Sequence, residues 1–359
     1  MAKADPPAFD PPSDEWPPGA TATAPWSMPW AAWCRVLRRV WVMTGFHELG
    51  LLAAGLAFYS FLALTPLIAA TVMIYGLVGN VATVRKQMES ITRVMPADAA
   101  RVLEAQLLQI VSTSSGVTGL ALVIALFFAI FGGMRAANGM ISALNIINNE
   151  HETRGTIALT LRAAWLTFAA VLIAFTGVLS GGVFAWLQTR TSGYLDGLYW
   201  GETTQMLFKL LTWAVAIGLG SAGFALIMRY GPDRRPARWR WLTPGSVLAT
   251  LLWIAVSFGF SLYVAYISDY NATYGSLSAI VVFLMWLYLS AYGVLLGALL
   301  NAEIERQTYC DTTIGPPRPP GERGAVLADM IDDAVPSLHQ LEDHKRRRAE
   351  MARRRADGG

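Results

Sequence analysis

Charge is what this sequence has least of. Lysine, arginine, aspartate and glutamate make up 15% of its 359 residues, where a soluble domain carries about a quarter. The deficit is uneven: ionisable side chains crowd into the two ends and a few short connections, leaving long stretches with none. The net charge of +3 arises from short basic clusters beside those stretches and does not point to nucleic acid as a partner. Cysteine is almost missing. The two present, Cys34 and Cys310, lie in the terminal regions, which excludes a disulfide framework or a Cys-x-x-Cys site. The four histidines (His47, His151, His339 and His344) have no metal-ligand spacing. There is no nucleophile elbow, phosphate-binding loop, dinucleotide fingerprint or zinc-protease motif, and no carboxylate pair inside an apolar segment. The reading is therefore not an enzyme, with no cofactor and no metal expected.

What remains is apolar. Hydrophobic residues account for 54% of the chain and the mean hydropathy is +0.41. Two uncharged runs, Trp241–Ser268 and Tyr270–Ala302, are separated by Asp269 alone. Each exceeds the roughly 20 apolar residues that carry a helix across a bilayer core. Four more crossings are expected: in Leu49–Val84, from Gly116 to Met134 with a polar-faced extension toward Asn149, within Ala163–Gln188, and within Leu210–Met228. Pro66 should kink the first crossing or end its first half, since proline removes a backbone hydrogen bond. The fold class is thus all-α: a polytopic membrane protein with six transmembrane helices, an N-terminal interfacial helix and disordered termini.

Around this core, residues 1–32 hold eight prolines and no signal-peptide apolar region, and read as a disordered tail. From Trp33, the residues Trp33, Val36, Leu37, Val40 and Trp41 recur at helical spacing with Arg35, Arg38 and Arg39 on the other side. This fits a helix lying on the membrane with its arginines toward anionic headgroups, or equally an amphipathic helix packed on the protein. Arg85–Val111 reads as two short surface helices. The membrane domain spans 33–306, and 307–359 reads as a polar, disordered tail. Lysine and arginine counts in the short connections favour both termini in the cytoplasm.

Three constellations stand out. Gly293 and Gly297 form GxxxG with Asn301 one turn on, a stripe that lets helices approach closely and fits packing within one chain better than a dimer seam. Tyr263, Tyr266, Tyr270 and Tyr274 recur at helical spacing near the outer surface, as an anchoring belt or as a binding vestibule. Arg135, Asn138, Ser142, Asn145 and Asn149 follow at +3, +4, +3 and +4, one polar stripe on a helix. The stripe is either the cytoplasmic face of a helix leaving the membrane or one wall of a polar cleft. Tyr59, Ser60 and Thr65, beside Pro66, would form the facing wall, with Arg135 offering its charge to an anionic headgroup.

Several stretches resemble the YihY/virulence factor BrkB family. They are Leu56-Ala57-Phe58-Tyr59 with Thr65-Pro66, Ala143-Leu144-Asn145 with Glu152-Thr153-Arg154-Gly155, and Arg229-Tyr230-Gly231-Pro232. Trp241-Leu242-Thr243-Pro244-Gly245, the stretch from Tyr270 to Leu277 and that from Leu296 to Glu303 complete the set. They occur in the family's order over roughly Trp33–Arg306. The resemblance implies a multi-pass protein of the bacterial inner membrane with about six helices and a part in envelope transport. Its older label, a tRNA-processing ribonuclease, finds no metal site or acid–base pair among these residues. Three readings follow: transport or exposure of an amphiphilic envelope component, with membrane lipids as partners; a membrane scaffold whose ends bind partners; and, last, the ribonuclease.

Overall fold

The computed structural model describes residues 17–78, 118–169, 172, 201–266 and 277–330. It is all-helical. A 3-10 turn at Pro25–Ser27 leads into α1 (Trp30–Phe46) and α2 (Leu49–Val78). Then come α3 (Thr118–Ile147), α4 (Thr156–Ala169), α5 (Gly201–Tyr230), α6 (Trp239–Tyr266) and α7 (Leu277–Glu305), with a single turn, α8 (Val326–Asp329), near the end. Among the described residues, α3, α5, α6 and α7 are each long and apolar enough to cross a membrane. The pair α1 and Leu49–Leu64, bent by 63°, makes a fifth candidate. In lipid a backbone must pair with itself, so these apolar runs become unbroken helices. Of the third expected crossing, only the part to Ala169 and Leu172 belongs to the described residues, so the count of six is not reached; Arg85–Val111 lies wholly outside them.

Helix α2 continues through Pro66. The break on this part of the chain lies earlier, at His47 and Glu48, where Glu48 adopts φ 50°. Helix α7 is the spine: α6, α2 and α1 pack along it, while α2 also pairs with α3 and α6 with α5. The GxxxG stripe serves this packing inside the chain. A side chain on Gly297 would come within 2.3 Å of the Gly245 carbonyl, and one on Gly293 within 3.2 Å of Leu252. Helices α6 and α7 thus meet backbone to backbone, the geometry small residues allow.

Three expectations are corrected. The polar tail does not begin at residue 307, because Gln307, Thr308, Thr312 and Thr313 are buried and the chain is folded to Met330. Residues 17–32 are likewise folded. The two ends hold each other: the Tyr309 amide donates to the Ala20 carbonyl at 2.8 Å, and the Thr308 hydroxyl to that of Ala22 at 2.7 Å. The C-terminal segment also ties down other connections. The Arg238 amide donates to the Thr312 carbonyl, the Arg235 amide to that of Gly324, and the Val326 amide to the Glu150 carboxylate at 2.6 Å. Third, α1 is not simply a helix with all its arginines outward. It buries Ala32, Val36, Arg39, Val40 and Met43, and leaves Trp41 exposed.

Candidate functional site

The polar groups gather at one end of the helices, where α7 finishes. Asn301 lies where α6 and α7 touch. Its carbonyl accepts from the Gly245 amide at 2.7 Å, and its amide donates to the Leu242 carbonyl at 3.0 Å. Two residues on, Glu303 is buried and accepts from Arg39 Nε at 2.8 Å, while Arg39 also donates to the Glu303 carbonyl at 2.9 Å. Arg306 stands 3.9 Å from the same carboxylate. Glu305 pairs with Arg234 and accepts from the Thr312 hydroxyl at 3.0 Å. Arg234 in turn donates to Asn148 Oδ1 at 2.7 Å. A cavity of about 10 Å³, the size of a single water, opens among Leu144, Asn148, Met228, Arg234, Asn301 and Glu305. Burying these ions is tolerable because each finds a partner.

A second cluster joins two connections. Asn145, buried, donates to Glu152 at 2.9 Å and accepts from the Asp233 amide at 2.8 Å. Arg154 chelates both Glu152 oxygens and reaches the Gly231 carbonyl, while Asp233 accepts from the Thr153 amide and hydroxyl. The Arg154 hydrogen bonds hold the Glu152 carboxyl below its ordinary value, against a smaller opposing effect of burial, and raise Arg154 in turn. A depressed carboxylate contributes stability above its unfolded value and loses it as the pH falls through the folded one. We therefore expect melting temperature to decline below about pH 4.5. Glu152→Gln should remove part of that decline, as a thermal melt across pH 3 to 7 would show; an identical acid profile would mean that Glu152 has no share in it.

The predicted stripe is divided among different surroundings. Arg135 is exposed with its guanidinium 5.2 Å from the Phe131 ring centre, and Ser142 is exposed. Asn145 belongs to the cluster just described, and Asn149 lies in the turn after α3 with φ 54°. Asn138 is half-buried, and its side-chain oxygen is enclosed with no hydrogen-bond partner among the described residues. Tyr59 is exposed and Ser60 half-buried. Along this stretch α2 and α3 close on each other: a side chain on Gly132 would stand 2.7 Å from the Ala63 Cα, and one on Gly139 3.3 Å from Leu56 and 3.8 Å from Tyr59. Tyr263 is half-buried beside Phe260. Tyr270 and Tyr274 lie outside the described residues, as do the side chains of Thr65 and Tyr266.

Sequence reasoning missed the buried ions Arg39, Arg234, Glu303, Glu305 and Arg306. The available signal was two carboxylates, Glu303 and Glu305, directly at the end of an apolar run that already carries Asn301.

Apolar helices long enough to span a bilayer, capped by a buried ionic base, define an integral membrane protein of the all-helical class. The family profile described as Virulence factor BrkB matches residues 40–322, and the chain belongs to that family. A ribonuclease-like protein of Bacillus subtilis, YfkH, is 29% identical over 214 residues, covering 59% of this chain and 74% of its own. A UPF0761 membrane protein of Rhodospirillum centenum is 28% identical over 314 residues, covering 85% of this chain, and one of Nitrosospira multiformis is 26% identical over 264 residues, covering 72%. The chain spans 63% and 58% of those two relatives' lengths. No solved structure matches the chain.

Proposed function

We propose that the protein moves or exposes an amphiphilic component of the envelope at the bacterial inner membrane, with its ionic base on the cytoplasmic side. Asn138 carries this reading. It lies nine residues before Ile147, the end of α3, hence about 14 Å along the helix axis at 1.5 Å per residue. A polar oxygen enclosed at that depth without a partner is costly and marks a functional position. A headgroup hydroxyl or amine would satisfy it, while the exposed Phe127, Phe128 and Phe131 of the same helix offer acyl chains an apolar surface. In this reading the close approach of Gly132 to Ala63 is the shut form of the α2–α3 seam. The orientation rests on Arg229, Arg234, Arg235, Arg238 and Arg240 around the connection from α5 to α6.

The test is reconstitution into vesicles carrying fluorescent phosphatidylglycerol, with the label on the far leaflet read by dithionite quenching. Wild-type protein should expose the label, and Asn138→Leu should slow exposure at least tenfold without lowering the melting temperature. Equal rates in the variant and wild type, or in protein-free vesicles, would end this reading.

A scaffold is the second reading. It is favoured by the exposed segment Pro316-Pro317-Arg318-Pro319, since proline-rich segments dock in aromatic-lined grooves. RNA hydrolysis rests on one relative's name alone.

A further inference from the structure

Helix α1 has a face that packing among the described residues leaves exposed. Its rotation is set by the opposite side, where Ala32, Val36, Val40 and Met43 enter the core and Arg39 is locked to Glu303 of α7. Trp30, Cys34, Leu37 and Trp41 then follow at +4, +3 and +4 along the outer face. Trp30 and Trp41 are 77% and 83% exposed, and Trp26, just upstream, is 70% exposed. Arg35 and Arg38 are exposed on the flank of this row, one turn apart. No aspartate or glutamate occurs between Pro17 and His47, so α1 itself contributes only positive charge. It also lies beside the ionic end of α7: Arg39 pins α1 there, and α1 leaves the axis of Leu49–Leu64 by 63°.

We infer that this face binds anionic phospholipid of the surrounding bilayer. Trp30, Leu37 and Trp41 enter the boundary between headgroups and acyl chains, the level where a ring with an apolar body and a polar N–H is most stable. Arg35 and Arg38 bind the lipid phosphodiester. Their positive charge favours a net negative headgroup over a zwitterionic one. The site is independent of Asn138 and of transport.

The test uses full-length protein with Cys310→Ser, which leaves Cys34 as the one cysteine. A nitroxide on Cys34 in mixed phosphatidylglycerol–phosphatidylcholine vesicles should collide with oxygen more often than with a water-soluble nickel chelate. In native mass spectrometry, Arg35→Gln and Arg38→Gln should each weaken phosphatidylglycerol retention about fivefold, the equivalent of about 1 kcal/mol per basic side chain. Phosphatidylcholine retention and melting temperature should not change. Arg38→Gln alone provides the reading if Arg35→Gln disturbs folding. A label freely reached by the chelate would overturn the inference. So would undiminished phosphatidylglycerol retention in the Arg38→Gln protein, or displacement of the lipid by millimolar inorganic phosphate.

Discussion

Gly245→Val should prevent the membrane domain from assembling. A first side-chain carbon at this position would lie 2.0 Å from the Gly297 carbonyl oxygen and 2.5 Å from the Asn301 side chain. Neither is a flexible group that can swing aside. The oxygen belongs to the α7 backbone, and Asn301 is held by Gly245, Leu242 and Met228 together. Accommodating valine means forcing α6 and α7 apart, which breaks those bonds and leaves a buried amide unpaired. Overpacking of a tight core costs about 1–3 kcal/mol and more when backbone must move, so a loss above about 3 kcal/mol is expected. Size-exclusion chromatography of detergent extracts should show little monodisperse protein. Gly259→Ala on the same helix is the control, for nothing stands within 4 Å of it. There the change should be neutral or gain up to about 1 kcal/mol from helix propensity. A monodisperse Gly245→Val protein with wild-type melting would contradict the described contact between α6 and α7.

The second large effect concerns Glu303. Glu303→Gln removes the carboxylate that faces Arg39 and Arg306, both almost fully buried. An uncompensated buried charge costs far more than the pair contributes when intact, since the desolvation of the remaining guanidinium is no longer offset. A loss of about 3–5 kcal/mol follows, roughly 10 °C or more in melting midpoint. Replacing both partners should differ in kind. Arg39→Met with Glu303→Leu exchanges an ion pair for apolar groups of similar size and should recover the part of that loss owed to Arg39, while Arg306 still lacks the carboxylate. Thermal melts of the wild type, Arg39→Met, Glu303→Leu and the double variant form the cycle. If the double variant were as unstable as the sum of the two single ones, Arg39 and Glu303 would not act as a pair.

The residues that make membrane spans were legible from the chain alone, because the requirement is local. A helix in lipid needs only its own apolar length, and Trp241–Ser268 and Tyr270–Ala302 announce α6 to within two residues and α7 to within seven. A close-packing face on α7 was legible for the same reason, since Gly293, Gly297 and Asn301 share one face at helical spacing; that α6 fills it came from the structure. Where each polar group finds its partner is not local, and there the chain alone misled. Arg35, Arg38 and Arg39 look alike within five residues, yet only Arg39 is buried, because Glu303, 264 positions away, stands opposite it. Asn145 looked like part of a stripe until Glu152 and the Asp233 amide took both ends of its side chain. The segment from Gln307 to Met330 read as solvated because its composition is polar. It is folded because its backbone and side chains pair with residues 20–22, 235–238 and Glu150. Apolar burial in lipid is a sum over neighbours in sequence; hydrogen-bond satisfaction of buried polar groups is settled between segments that only the tertiary structure brings together.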